Sequence, residues 1–284
     1  MKTARHCAGP FSVSTITHMP THDRASQSAH PAIRAVLKVP QVTAYFWIVK
    51  LLSTAMGEST SDYLVFQINP YIAVVLGCIG LAVALLLQLW VRRYVAWIYW
   101  LAVVMVAVFG TMVADVTHVV MGIPYLVSTV FFASALAIIF ATWYASEKTL
   151  SIHRVYAGRR EMFYWATVIA TFALGTAAGD MTASTLALGY FPSLVLFAVL
   201  FAVPALAYWL FGLNEIVAFW FAYVVTRPLG ASFADWLGKP YLGGLGFGDQ
   251  KVAPVLTILI IGFVGYLTVS QADMRGERRA AASP

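Results

Sequence analysis

Four times along its length the chain repeats one pattern: an aromatic residue and Trp, nine residues, Gly, four residues, Asp. The copies are Phe46-Trp47 with Gly57 and Asp62, Tyr99-Trp100 with Gly110 and Asp115, Tyr164-Trp165 with Gly175 and Asp180, and Phe219-Trp220 with Gly230 and Asp235. Self-similarity at so long a period means one supersecondary unit built several times over, which limits the fold more than any single motif. Each copy lies in a strongly apolar stretch, where a carboxylate is costly and has to be paired, hydrated or functional.

The composition identifies the solvent those repeats face. With 61% hydrophobic and 11% charged residues, the chain is far more apolar than a soluble domain of 284 residues. Uncharged stretches such as 70–91, 94–114 and 124–146 reach the roughly 20 residues that a hydrocarbon core demands. The expected fold is therefore all-α, a polytopic membrane bundle of about eight spans near 42–64, 70–91, 95–118, 124–146, 161–183, 191–212, 215–237 and 252–271. Each repeat is then a two-helix hairpin, and Pro70, Pro124 and Pro192 open the second helix of the first three, where a missing N–H costs nothing. All four Trp-bearing spans run the same way, so the repeats are parallel, unlike inverted-repeat transporters.

The net charge of +6 and pI near 9.3 would fit a nucleic-acid partner only if the basic residues formed a patch. They follow topology instead. Fourteen of the 18 Lys and Arg, from Lys2 to Lys38, at Arg92, Arg93, Lys148, Arg154, Arg159 and Arg160, and at Arg275, Arg278 and Arg279, fall on one side. That bias is the positive-inside pattern of a cytoplasmic (inner) membrane protein with both termini in the cytoplasm, and it excludes nucleic acid as the reason for the charge. Residues 1–38, rich in Ser, Thr, His and Arg, read as a disordered cytoplasmic tail or an upstream extension of the true start. Residues 39–146 hold repeats one and two, 147–161 a cytoplasmic linker that divides the bundle into halves, 162–272 repeats three and four, and 273–284 a second cytoplasmic tail. Cys7 and Cys78 give neither a disulfide framework nor a metal spacing.

On a helix, the 15 residues from Trp to Asp correspond to a rise of roughly 22 Å. The aromatic pairs are expected at the cytoplasmic interface as anchors, with the four acids gathered at one level toward the other side. Ser61, Ala114, Gly179 and Ala234 precede the acids and complete a small-xxx-small pair with each repeated Gly, so every Asp stands beside a close helix contact. Asp62, Asp115, Asp180 and Asp235, with Glu58 one turn before Asp62, are the candidate ion or substrate ligands. A structural role stays open for them, since Asp can bond the backbone of an adjoining hairpin or cap a following helix. His118, one turn past Asp115, can share a divalent metal such as manganese or zinc with a carboxylate, or can finish a hydrogen-bonded helix end. Lys50 and Arg227 are expected to snorkel to the interface or to pair with a carboxylate of a neighbouring helix. The glycine-rich stretch 238–248 lacks the preceding strand and the spacing of a phosphate-binding loop and is expected to be a flexible or re-entrant external loop.

Tandem two-helix repeats marked by Trp47, Trp100, Trp165 and Trp220, with the wording at Gly57-Glu58 and Gly248-Asp249-Gln250-Lys251, resemble a bacterial family of membrane-anchored proteins defined by a repeat of unknown function. The resemblance covers about residues 38–270 and implies a topology but no activity. From the residues themselves, the expectation is a transporter or channel for a small cation, divalent or proton-coupled, using intramembrane carboxylates. The alternative is a non-transporting scaffold, sensor or assembly partner in which the Gly and Asp positions are structural. No nucleophile–base pair and no cofactor motif is present, so neither an enzyme nor a cofactor is expected. The partners expected are the lipid bilayer and a small cation; the oligomeric state is not legible.

Overall fold

A computed structural model describes residues 37–274; the expectations for the histidines of the N-terminal tail, for Cys7 and for Arg275, Arg278 and Arg279 lie outside the described residues. Among the described residues the chain forms eight α-helices: α1 (Ala44–Gln67), α2 (Pro70–Trp90), α3 (Ala96–Asp115), α4 (Tyr125–Glu147), α5 (Arg159–Asp180), α6 (Tyr190–Phe211), α7 (Glu215–Gly238) and α8 (Asp249–Ser270). Their ends are set locally. Thr43, Asn69 and Asn214 accept hydrogen bonds from the first-turn amides of α1, α2 and α7, and Pro70 occupies the first position of α2. Lys148, Gly212 and Gln271 close α4, α6 and α8 in the left-handed conformation. Seven helices are long and apolar enough to cross a membrane; α1, which carries Lys50, Glu58 and Asp62, falls short.

The four odd-numbered helices form an inner ring in which α1 packs on α3, α3 on α5, α5 on α7, and α7 back on α1. Direct packing of α3 on α5 joins the two sides of the 147–161 linker, so the linker does not part the bundle into halves. Every even-numbered helix lies mainly on the odd helix that follows it, α2 on α3, α4 on α5, α6 on α7, and α8, the last, on α1, the first. The hairpin is thus the unit of sequence but not the main unit of packing. The outer helices turn apolar faces outward, as α2 does with Ile72, Val75, Ile79, Val83 and Leu86. Exposed aliphatic faces of this extent suit lipid as the solvent.

Two contacts repeat around the ring with the same register. The aromatic residue of each repeat touches the Trp of the next: Phe46 with Trp100 at 5.8 Å between ring centroids, Tyr99 with Trp165 at 5.7 Å, Tyr164 with Trp220 at 6.2 Å, and Phe219 with Trp47 at 5.8 Å. Each such pair contributes about 0.5–1.5 kcal/mol beyond the area it buries. One turn past the middle of each helix, the repeated Gly meets the residue three before the next repeat's Gly: Gly57 meets Ala107, Gly110 meets Phe172, Gly175 meets Arg227, and Gly230 meets Thr54. A Cβ at Gly110 would stand 2.9 Å from that of Phe172, so the absence of a side chain is what sets the helix separation.

The ring corrects the interfacial placement of the aromatics. Trp100, Trp165 and Trp220 are buried, as are Phe46, Tyr99, Tyr164 and Phe219; they fill the core between helices and do not anchor in headgroups. Two boundary residues also move into the fold. Lys38, assigned to the tail, is buried in an ion pair with Glu161 at 2.9 Å and donates to the carbonyl of Gln88. Asp273, at the start of the second tail, is buried against the Tyr94 hydroxyl, and its carbonyl accepts from the Gln41 amide, which joins the two ends of the described chain. Burial raises the Asp273 carboxyl above its ordinary value, against the opposing hydrogen bond from Tyr94.

Candidate functional site

A column of charged side chains occupies the middle of the inner ring. Nearest the aromatic layer is Lys50, 1% exposed, with its ammonium 4.0 Å from the Phe172 ring centroid and 4.3 Å from that of Tyr223. It neither snorkels nor pairs with a carboxylate; the two aromatic faces provide its electrostatic partner. Phe172 sits at the same repeat position as Arg227 and carries the Arg227 guanidinium over its ring as well, at 5.2 Å.

Arg227 comes from the fourth repeat and reaches across the axis. Its guanidinium donates to Glu58 at 2.7 Å, to Thr176 at 2.6 Å and to Thr111. Glu58, Thr111 and Thr176 each follow the repeated Gly in the first, second and third repeats, while the fourth repeat has Ala231 there. One cation therefore gathers the equivalent position from all three other repeats. Of the two arrangements expected for Arg227, pairing with a neighbouring helix is the one found. Thr111 also donates to Glu58 at 3.2 Å, so the buried carboxylate is satisfied from two helices.

Beyond this layer lie the acids. Oxygens of Glu58, Asp62 and Asp235 come within 4.8 Å of one another, and all three residues are buried. Asp115 accepts from Ser61, the residue beside Asp62, at 3.0 Å. Asp180, half-exposed, lies within electrostatic reach of Glu58 and Asp62. Glu58, Asp62 and Asp235 thus face one another inside the ring, Asp115 is joined to them through Ser61, and Asp180 stands part-exposed at the end of α5. Among them Lys239 places its ammonium 2.9 Å from Asp62 and 2.9 Å from Asp235. Burial works against the Lys239 charge, but Asp235 and Asp62 outweigh it and hold the ammonium above the ordinary lysine range.

Two of these partners were not singled out as ligands from the sequence. Lys239 reads as an external loop residue, although its i,i+4 spacing from Asp235 is a usable signal. Asp249, the first residue of α8, stands half-buried beside Ser59 and close to Asp62 and Lys239, and its carboxylate fills the space a side chain at Gly238 would need. His118 is not part of the cluster. Its ring bonds the Ile123 carbonyl at 3.0 Å and the Ser128 hydroxyl at 3.3 Å and lies on Tyr125, which is the helix-end role.

The backbone around the acids is irregular in a patterned way. Immediately after Asp115 and Asp180, the helices widen into π-turns, Val116–Val120 and Met181–Thr185, a feature that frequently accompanies functional positions. After Asp235, the glycine-rich segment folds back over the end of α7. The amides of Leu245, Gly246, Phe247 and Gly248 donate to the carbonyls of Trp236, Lys239, Leu237 and Gly238. This segment is an ordered cap rather than a flexible loop. Gly244 lies against the Lys239 carbonyl, where no side chain fits, and Gly243, Gly246 and Gly248 adopt positive φ.

The repeat of unknown function designated DUF347 matches the chain four times, at residues 45–94, 98–149, 163–213 and 218–273, each match spanning one odd helix and the even helix after it. No curated protein and no solved structure matches the chain. The chain belongs to the DUF347 repeat family, as a membrane protein of four tandem two-helix repeats.

Proposed function

We propose that the protein carries a small cation across the cytoplasmic membrane in exchange for protons, with Asp62, Asp115, Asp180, Asp235 and Glu58 as the ligands. The supporting observation is the charge imbalance at the cluster. Six carboxylates, these five and Asp249, share the end of the ring with two cations, Arg227 and Lys239, which leaves four formal negative charges without an internal counter-ion among the described residues. Lys50 stands roughly 12 Å nearer the aromatic layer, too far along α1 to balance them. Carboxylates so placed in a membrane interior have to bind cations or take up protons, and exchange between those two states is what a proton-coupled carrier does.

In this reading Lys239 is a tethered counter-ion that an arriving cation displaces from Asp62 and Asp235. Oxygen ligands in such number suit a hard divalent cation such as manganese better than a soft one. Arg227 and Lys50 keep positive charge on the axis between the acids and the aromatic layer, so passage requires the Arg227–Glu58 pair to part, and the ring of inter-repeat aromatic contacts acts as the gate on the cytoplasmic side. The basic residues around that end, Arg92, Arg93, Lys148, Arg154, Arg159 and Arg160, support its cytoplasmic orientation. The reading assigns the chain transport and not catalysis. The closed aromatic layer is also the feature that favours the scaffold alternative, in which nothing passes.

The deciding experiment is uptake into proteoliposomes. Wild-type protein is expected to move Mn²⁺ down its gradient with an opposing proton flux, and Asp62→Asn with Asp235→Asn is expected to abolish both at equal reconstitution. Wild-type vesicles that move neither divalent nor monovalent cations, or a double variant as active as wild type, would sink the transport reading. In cells, complementation of a deletion strain's metal sensitivity by Asp115→Asn with Asp180→Asn would count against it equally.

A further inference from the structure

At the aromatic end, a cleft of about 700 Å³ opens between α6 and α7, far along the helices from the acid cluster. It exists because small residues face one another there: Ala202 and Ala205 on α6, Ala218 and Ala222 on α7. Trp47 and Phe219 supply aromatic walls, so the interior is apolar. The rim is different. The connection after α4 crosses the mouth and is held by the Trp220 indole, which donates to the Leu150 carbonyl at 2.9 Å. It presents His153 beside Glu215, 3.2 Å apart, both solvent-accessible at 49% and 70%.

We infer that this cleft is a binding site for one phospholipid with a zwitterionic amine headgroup, one of its two acyl chains between α6 and α7 and its phosphoethanolamine on the His153–Glu215 pair. Three observations select that occupant. The cleft lies between two membrane-spanning helices, so its apolar interior meets acyl chains, and its volume falls within the roughly 300–1,000 Å³ of sites that enclose small ligands. Its mouth is at the end of the bundle where the loops are basic and polar, the level of headgroups. The rim offers one acid and one base side by side, which matches an ammonium and a phosphate joined by a short linker; a purely anionic headgroup would meet Glu215 with the wrong sign. This inference does not depend on the transport reading, since none of the acid-cluster residues lines the cleft.

The test is native mass spectrometry of the full chain released from nanodiscs made of phosphatidylethanolamine, phosphatidylglycerol and cardiolipin in equal amounts. One phosphatidylethanolamine per protein is expected, at least fivefold enriched over the other two. Ala205→Phe with Ala218→Phe, which fills the cleft, should remove it. The exposed rim variants Glu215→Gln and His153→Gln, which leave the packing intact, should erase the headgroup preference while an acyl adduct remains. Adducts that follow the lipid proportions, preferential retention of phosphatidylglycerol or cardiolipin, or unchanged preference in the rim variants would each overturn the assignment. If the filled variant fails to fold, the rim variants still decide the outcome.

Discussion

Replacing Glu58 by Gln tests the centre of the ring, because Arg227 cannot discharge the consequence. A guanidinium stays protonated in any protein environment, so Glu58→Gln leaves a buried cation with two threonines and a neutral amide as partners. Removing one member of a buried pair costs about 3–5 kcal/mol. An opposing effect has to be weighed. Neutralising Glu58 also relieves its repulsion with Asp62 and Asp235, whose oxygens lie up to 4.8 Å away, against 2.7 Å for Arg227. At equal dielectric, one such repulsion is at least half of the attraction, Lys239 offsets one of the two acids, and the remaining repulsion does not outweigh the closer Arg227 contact, so the loss prevails. Arg227→Met should cost less, about 2 kcal/mol, because the stranded Glu58 keeps the Thr111 hydroxyl as a hydrogen-bond donor. The double variant should therefore be less unstable than the sum of the singles by about 2 kcal/mol, a thirtyfold difference in the unfolding equilibrium. Unfolding in mixed micelles by increasing fractions of a denaturing detergent gives the three values on one scale. A Glu58→Gln protein within about 0.5 kcal/mol of wild type, or strictly additive singles, would refute the claim that this pair is a closed buried unit.

Further outcomes follow from other layers. Lys239→Met removes the resident ammonium between Asp62 and Asp235, and equilibrium binding of Mn²⁺ to detergent-solubilised protein should tighten at least tenfold; unchanged or weaker binding would show that Lys239 does not compete for the site. Gly110→Val forces a side chain against Phe172, and overpacking of this kind costs about 1–3 kcal/mol, read as a lower melting temperature, whereas the same change at Gly262, which has open space around it, should be nearly silent. Asp273 is buried with its carboxyl raised, so its contribution is fully present below the ordinary carboxylate pKa and is lost as pH rises through the raised one. After correction for intrinsic rates, exchange of the Gln41 amide, which bonds the Asp273 carbonyl, should accordingly speed up with pH over that window, and Asp273→Asn should abolish the trend.

The count of eight helices and the parallel order of the repeats were legible because seven apolar runs of bilayer length and the four Trp segments need no knowledge of neighbours. The level of the acids was legible from the 15-residue spacing alone. What stayed hidden depends on contacts between distant segments. Trp100, Trp165 and Trp220 have the composition of interfacial anchors and differ from them only in facing the next repeat, which a single helix does not reveal. Lys239 is flanked by Gly238 and Pro240 and looks like loop until the glycine-rich cap folds its backbone over α7. Lys38 stands between Leu37 and Val39 at the end of the stretch read as a tail, and nothing near it in the sequence announces Glu161. The role of Arg227 could have been read from the alignment of repeats, since Glu58, Thr111 and Thr176 share one position, but a partner for them had to come from a different position of the fourth copy.

The return of the last helices onto the first has a consequence for how the protein is made. Of the eight described helices α1 is synthesised first, yet among them it alone is not apolar enough to be recognised by composition, and a charged residue near the centre of an isolated span costs about 2.5–3.5 kcal/mol on insertion. Its Glu58 waits for Arg227, 169 residues later, and its outer face waits for α8. Biogenesis should therefore hold α1 at the edge of the insertion machinery until the fourth repeat has been synthesised, and a chain truncated before α7 should leave its first segment poorly inserted and open to degradation.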